Sequence, residues 1–291
     1  MEVISIGNPI CRLAECPIWN DTEKALYWTD IPAGRIWRYD PHSRETTLAW
    51  EGDLIVGGLA FTANNAIVMC ADKGVYRLVQ PTGDLELLFD IPMATDERFN
   101  DITTDPRGRI FAGTLTERRV EGLLYRLERG KEPEIVLRDI RTSNGMTFSL
   151  DLKHFYHTDS RLRTITRYDY DLASGNIENP CVVYQGREED GSPDGLTLDA
   201  DGFLWVACYR GGKILRIDEK GKIAQELSMP AAQPASVMFG GDDLDELFIT
   251  SASQGATDQA RGLDERGRYL GGAVFRVRPG VTGRREWRAG W

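Results

Sequence analysis

Six positions carry the residue types that could do chemistry, and they recur in step along the chain. Glu15, Gly57, Asn100, Asn144, Asp194 and Ala235 each stand two residues before the leading apolar residue of a similar segment. Four of the six bear an oxygen-carrying side chain where a purely structural residue would be apolar or glycine. If these positions meet, the carboxylates of Glu15 and Asp194 are buried together, which is costly unless a cation neutralises them. The chemistry expected is therefore a hard-ligand metal site built from Glu15, Asn144 and Asp194, with Asn100 among the ligands or directly behind them. An all-oxygen set favours one divalent cation of the Ca²⁺, Mg²⁺ or Mn²⁺ type, Ca²⁺ first, with Zn²⁺ and Fe²⁺ still open. Three protein ligands leave positions for water or substrate, the arrangement of a catalytic rather than a closed structural site. The competing reading is that polar residues at such positions only cap turns and hold channel waters.

The elements that must gather these residues are strands. Six segments share one plan: an apolar strand, a turn rich in Asp, Gly and Asn, and a second apolar strand. They begin at Pro17, Leu59, Ile102, Met146, Leu196 and Val237, so the repeat runs 41 to 50 residues. Most continue into a third strand, as in GRIWRYD, KGVYRL, GLLYRL and KILRID. Period-two alternation bounded by turn residues is the half-buried strand pattern, and no stretch shows helical periodicity. Four short antiparallel strands per repeat make one blade of a β-propeller. The expected fold is all-β: a six-bladed β-propeller with a central-channel metal site, residues 1–291 forming one domain. The strand near Glu2–Ile6 is expected to complete the last blade and pin the ring shut. Rotation about the channel would bring the six compared positions onto the axis. A two-sheet sandwich is disfavoured by six in-phase copies.

Other chemistries find little support. There is no G-x-S-x-G elbow, no phosphate-binding G-x-x-x-x-G-K-[ST] loop and no H-E-x-x-H. His154 and His157 lie three apart in a strand-like segment and face opposite ways; His157 is carried as a channel candidate against an ordinary packed histidine. Trp19, Trp28, Trp37, Tyr156 and Trp205 occupy apolar strand positions and are read as core. Arg98 is expected on a loop overhanging the channel mouth, where a guanidinium could hold substrate oxygens by forked hydrogen bonds; the bland alternative pairs it with Asp96 or Glu97. Five scattered cysteines without a C-x-x-C pair read as buried, reduced thiols of a cytoplasmic protein, with Cys16 watched for metal contact. The formal charge of −10, from 35 Lys+Arg against 45 Asp+Glu, disfavours nucleic acid. No run is apolar enough for a membrane span and the N-terminal stretch lacks a signal pattern. A monomer or weak dimer is expected.

The ordered motifs A-E-C-P-I-W at 14–19, R-F-N-D at 98–101, D-P-R-G-R-I-F-A-G-T at 105–114, S-N-G-M-T-F-S at 143–149 and S-P-D-G-L-T-L-D at 192–199 carry a resemblance. The chain resembles the senescence marker protein 30/gluconolactonase/luciferin-regenerating-enzyme-like family over nearly its full length. The resemblance implies a six-bladed propeller with one divalent cation held by Glu15, Asn144 and Asp194, and substrate contacts from Arg98 and Asn100. A further acidic contact on the following lid loop would be Glu121 or Glu117. It also implies hydrolysis of sugar-acid lactones such as gluconolactone or a pentonolactone, with Asp194 as the catalytic residue that orients or deprotonates water. Cys16 departs from the glycine usual in the family. Two other functions stay open: another esterase or phosphotriesterase on the same metal propeller, and a non-enzymatic cation-binding regulatory propeller.

Overall fold

The computed structural model describes residues 1–79, 82–116, 122–257 and 262–291. Among them are twenty-four strands, β1 to β24, arranged as six four-stranded sheets. In the first blade β2 (Ala14–Asn20), β3 (Ala25–Asp30), β4 (Arg35–Asp40) and β5 (Glu45–Glu51) pair antiparallel in chain order. The innermost strands of the next five blades are β6 (Val56–Phe61), β10 (Glu97–Thr104), β14 (Ser143–Phe148), β18 (Ser192–Leu198) and β22 (Pro234–Gly240). The only helical turns among the described residues are two single 3-10 turns, Ile31–Ala33 and Glu188–Asp190.

Burial falls from the inner strands outward, and sequence falls with it. β3 (ALYWTD) and β6 (VGGLAF) are buried throughout, whereas β5 (ETTLAWE) is largely exposed. A strand packed on both faces needs apolar residues at every position, and a rim strand needs them only where it meets its neighbour. The apolar clusters lie between blades: Ile18, Tyr27 and Ile36 of the first pack on Val56, Leu59, Phe61 and Met69 of the second. Trp19, Trp28, Tyr156 and Trp205 are buried in such layers, as their strand positions suggested, and Trp37 packs against one of them. One cysteine departs from expectation. Cys11, Cys16, Cys70 and Cys208 are buried and unpaired, but Cys181 is exposed because it lies on the outermost strand of its blade, Ile177–Gln185.

Two segments close the ring. The N-terminal strand β1 (Ile4–Ile6) pairs antiparallel with β24 (Val274–Val277), placing Ser5 opposite Phe275, so the first and the last strand build the sixth blade together. The stretch after β24 then crosses the end of the channel opposite the compared positions. Its backbone bonds Ala200 through Thr282, Leu244 through Gly283, Phe61 through Ala289 and Gly108 through Gly290. Trp287 and Glu286 thereby line the floor of the channel, beneath a cavity of about 40 Å³.

A buried ion pair ties the third blade to the fourth. Asp105 accepts from Arg109 Nε at 2.5 Å, and both side chains are enclosed. The remaining guanidinium donors reach Leu172 O, Ala173 O and the Tyr170 hydroxyl of the next blade. Removing one partner leaves the other charge buried and unpaired, which costs about 3–5 kcal/mol. Asp105→Ala is expected to lower unfolding free energy by about that amount in chemical denaturation.

Candidate metal centre and active site

In every blade the innermost strand loses register with its neighbour at the compared position. The shifts fall between Glu15 and Ile18, Val56 and Gly58, Phe99 and Ile102, Ser143 and Met146, Pro193 and Leu196, and Pro234 and Val237. A β-bulge frees residues from the ladder and re-aims their side chains. Here six bulges meet around one axis, and Glu15, Asn100, Asn144 and Asp194 line one pocket of about 420 Å³ at the channel mouth. The glycine following two of these residues has a steric cause. A Cβ on Gly145 would lie 2.6 Å from Asp194 O, so the N-G motif marks an approach of two backbones that no other residue allows. Gly57 meets the same limit against Asn100 O at 2.5 Å.

The polar groups are locked by short hydrogen bonds. Asn144 Nδ2 donates to Ser160 Oγ at 2.7 Å, and Ser160 in turn donates to Pro193 O. That arrangement turns Asn144 Oδ1 toward Asn100, whose Nδ2 donates to it at 2.6 Å and also reaches Ser143 O. Arg98 Nη1 donates to Asn100 Oδ1 at 3.0 Å and to Phe99 O. Arg98 lies within β10 rather than on an overhanging loop, because the strand begins at Glu97. The neighbouring Glu97 accepts from Thr114 Oγ1 and from Ala94 N. Glu117 and Glu121, the two lid-loop acids, lie outside the described residues.

Burial dominates the electrostatics. It raises the Glu15 carboxyl well above the usual range, reinforced by Asp194 and Asp101 and opposed by the Cys16 N–H and Arg98. Asp194 is raised well above its usual value by burial and then by Asp101. Asp101, on the channel wall, is pushed up to about 6 by burial. Asp194 Oδ1 is buried with no hydrogen-bond partner. An orphaned carboxylate oxygen beside a second buried carboxylate and a fixed amide oxygen suits a hard divalent cation. Among the described residues no trio of His, Cys, Asp and Glu side chains could hold a metal, so a cation here would need an amide oxygen such as that of Asn144 as well.

Cys16 does not serve as a donor in this arrangement. Its backbone is left-handed, with φ 46°, which is where glycine costs least. The thiol accepts from Leu59 N at 3.1 Å, turned to the second blade. His157 also leaves the candidate set: it is buried, 2.8 Å from Ser143 Oγ, and burial lowers it to about 4, so it is neutral. The pocket further contains Ser160, Arg161, Tyr209, Arg210 and Gln254, none of which the repeat comparison reaches. Asp101 is missed for a simpler reason. It is the second bulge residue, one step past the position compared. Its place in R-F-N-D was the available signal.

The fold and site together define a six-bladed propeller with an oxygen-rich donor set at one mouth of its channel. The model of the SMP-30/Gluconolactonase/LRE-like region matches residues 13–253, and the chain belongs to that family. A relative named pentonolactonase XacC, from Haloferax volcanii, is 34% identical over 99% of this chain and 98% of its own. Human regucalcin is 34% identical over 84% of this chain and 85% of its own. The solved structure of a luciferin-regenerating enzyme superposes with a TM-score of 0.87 at 29% identity, covering 96% of this chain and 95% of that one. No helix of the described residues is long and apolar enough to cross a membrane.

Asp101 gives a pH test with a definite sign. Its folded value lies above the unfolded one, so the folded chain binds more protons and its contribution to stability falls as pH rises from about 4 through about 6. In metal-free protein, Asp101→Asn is expected to gain stability relative to the parent across that interval, read by thermal unfolding. Because Glu15 and Asp194 are raised likewise, cation binding at pH 6 is expected to release protons into weakly buffered solution.

Proposed function

We propose that the protein is a divalent-cation-dependent hydrolase that opens sugar-acid lactones to the free acid. The observation that carries this is the unpartnered, buried Asp194 Oδ1 at the base of an open pocket, beside Glu15 and the oriented Asn144 amide. Glu15, Asn144 and Asp194 would hold the cation, with Ca²⁺ the best match to an all-oxygen set. A cation there supplies Lewis acidity toward the lactone carbonyl and its developing negative charge. A relative named as a pentonolactonase, matched along almost its whole length, supports the same reaction class.

The chain's own groups do the rest. Asp194 is fixed in its bulge, and one oxygen is free to orient a water against the carbonyl carbon and accept its proton. The water oxygen bonds to that carbon, the ring C–O bond breaks, and the proton passes to the departing ring oxygen. Asn100 keeps Asn144 in place and, with Arg98, faces the sugar hydroxyls. Both belong to β10, Asn100 in its bulge, and the Arg98 Nη1–Asn100 Oδ1 hydrogen bond holds them together. The wider opening is the pocket of about 420 Å³ that holds these groups, and it is the way in for substrate in this reading.

Asp194→Ala is expected to lower kcat on sugar lactones by roughly 10²–10⁴-fold while the circular dichroism of the folded propeller is kept. Turnover near the parental rate in saturating cation would remove the base from Asp194. Arg98→Ala is expected to raise KM more than it lowers kcat, because its contacts are to groups that do not react. An unchanged KM across pentono- and hexonolactones would take Arg98 out of the pocket.

A further inference from the structure

The mouth of the pocket carries charge of the sign opposite to the molecule. The chain has a formal charge of −10. Yet the described residues lining the pocket present three guanidiniums, Arg98, Arg161 and Arg210, against the two carboxylates Glu15 and Asp194. The two carboxylates are the groups assigned to the cation, so once it is bound the described lining carries a net positive charge even with Asp101 nearby. The arginines come from three consecutive blades. Arg98 is on β10, Arg161 on the turn after β15 (His154–Asp159), and Arg210 on the turn after β19 (Leu204–Tyr209). They form an arc over one side of the mouth.

The two turns are held in different ways. Asp159 Oδ1 accepts from the backbone N–H of Arg161 and Leu162, which fixes the first turn while the Arg161 side chain stays exposed. Arg210 has a left-handed backbone, φ 62°, and its guanidinium stands over the Tyr209 ring with 5.8 Å to the centroid. Tyr209 itself lines the pocket, and its phenol is pushed up to about 12 by burial and then by Asp194. Neither Arg161 nor Arg210 has an ion-pair partner among the described residues, whereas Arg187 and Lys213 nearby are both engaged by Asp190.

A neutral lactone offers this arc no charge to pair with. The cation and Arg98 suffice to hold a ring and its hydroxyls. Two further guanidiniums at the rim recognise an anion, because a planar fork of N–H donors matches carboxylate or phosphate oxygens. A cleft of one sign also concentrates ligands of the other. We propose that Arg161 and Arg210 are specificity-determining residues for a lactone that carries a second ionised acid, carboxylate or phosphate, on the carbon tail away from the reacting carbonyl. This rests on the lactonase reading for its reaction and extends it to a substrate class. The carbonyl end sits over Asp194 and the anionic tail reaches the turns of the fourth and fifth blades that carry Arg161 and Arg210.

The test compares cation-loaded enzyme on gluconolactone, its 6-phosphate and a glucarolactone at low salt. The charged substrates are expected to show kcat/KM about tenfold higher, the effect of one charge-assisted hydrogen bond at a partly exposed site. The advantage should shrink at 0.5 M salt, and the Arg161→Ala/Arg210→Ala variant should bring the ratio close to one. Whichever charged lactone leads identifies the tail group. A second measurement needs no turnover. Calorimetric titration of the whole protein with 6-phosphogluconate, glucarate and gluconate should show the first or second binding about tenfold more tightly than the third, with loss of the difference in the variant. If neutral lactones are opened but neither charged lactone nor charged acid is preferred, the inference is overturned and the lactonase reading stands. If charged acids bind through the two arginines but no lactone is opened, the lactonase reading fails and the anion site remains.

Discussion

Like charges held together in a dry ring are what the rest of this structure has to accommodate. Glu15, Asp101 and Asp194 stand on the channel wall or at its mouth, where burial favours their neutral forms and each raises the cost of ionising another. A chain does not collect such groups by accident of packing, because hydrophobic burial would place apolar residues on the axis instead. The six register shifts answer to this need. Each lifts a residue out of the ladder just where the inner strands converge, without breaking the blade on either side.

The closing devices follow from the same demand. Groups that repel one another hold a useful geometry only if the ring cannot breathe. β1 binds the sixth blade across nearly the whole length of the sequence, and Asp105 with Arg109 ties the third blade to the fourth by buried, charge-assisted hydrogen bonds. The C-terminal stretch crosses the far end of the channel, where Glu286 and Trp287 line a small cavity. It leaves the mouth, with its arc of arginines, as the face on which selection is made.

Much of this could be read along the chain. Short alternating segments in six in-phase copies dictate a propeller, since a blade cannot cover both of its own faces. Comparison of one position across the copies led to Glu15, Asn100, Asn144 and Asp194, and these do meet in one pocket. The comparison works because a rotational repeat makes equivalent positions neighbours. It missed Asp101 because a bulge has two residues and only one was compared. It placed Arg98 on a loop because the extra bulge residues hide where the strand starts.

Local sequence therefore determined the strands, the count of blades and the polar groups that meet in the pocket, all of which depend on residue type and period. Tertiary structure alone decided which way those groups point. The backbone φ of 46° at Cys16 swings its thiol to Leu59 and its N–H to Glu15, and Ser160 holds the Asn144 amide. His157 shows the limit from the other side: its sequence context suits a channel residue, but its strand is one layer out from the axis and burial keeps it neutral. The arginines at 161 and 210 lie far apart along the chain and in no shared motif. Only the closing of the ring puts them over the same cleft, because turns of successive blades become neighbours when the blades do.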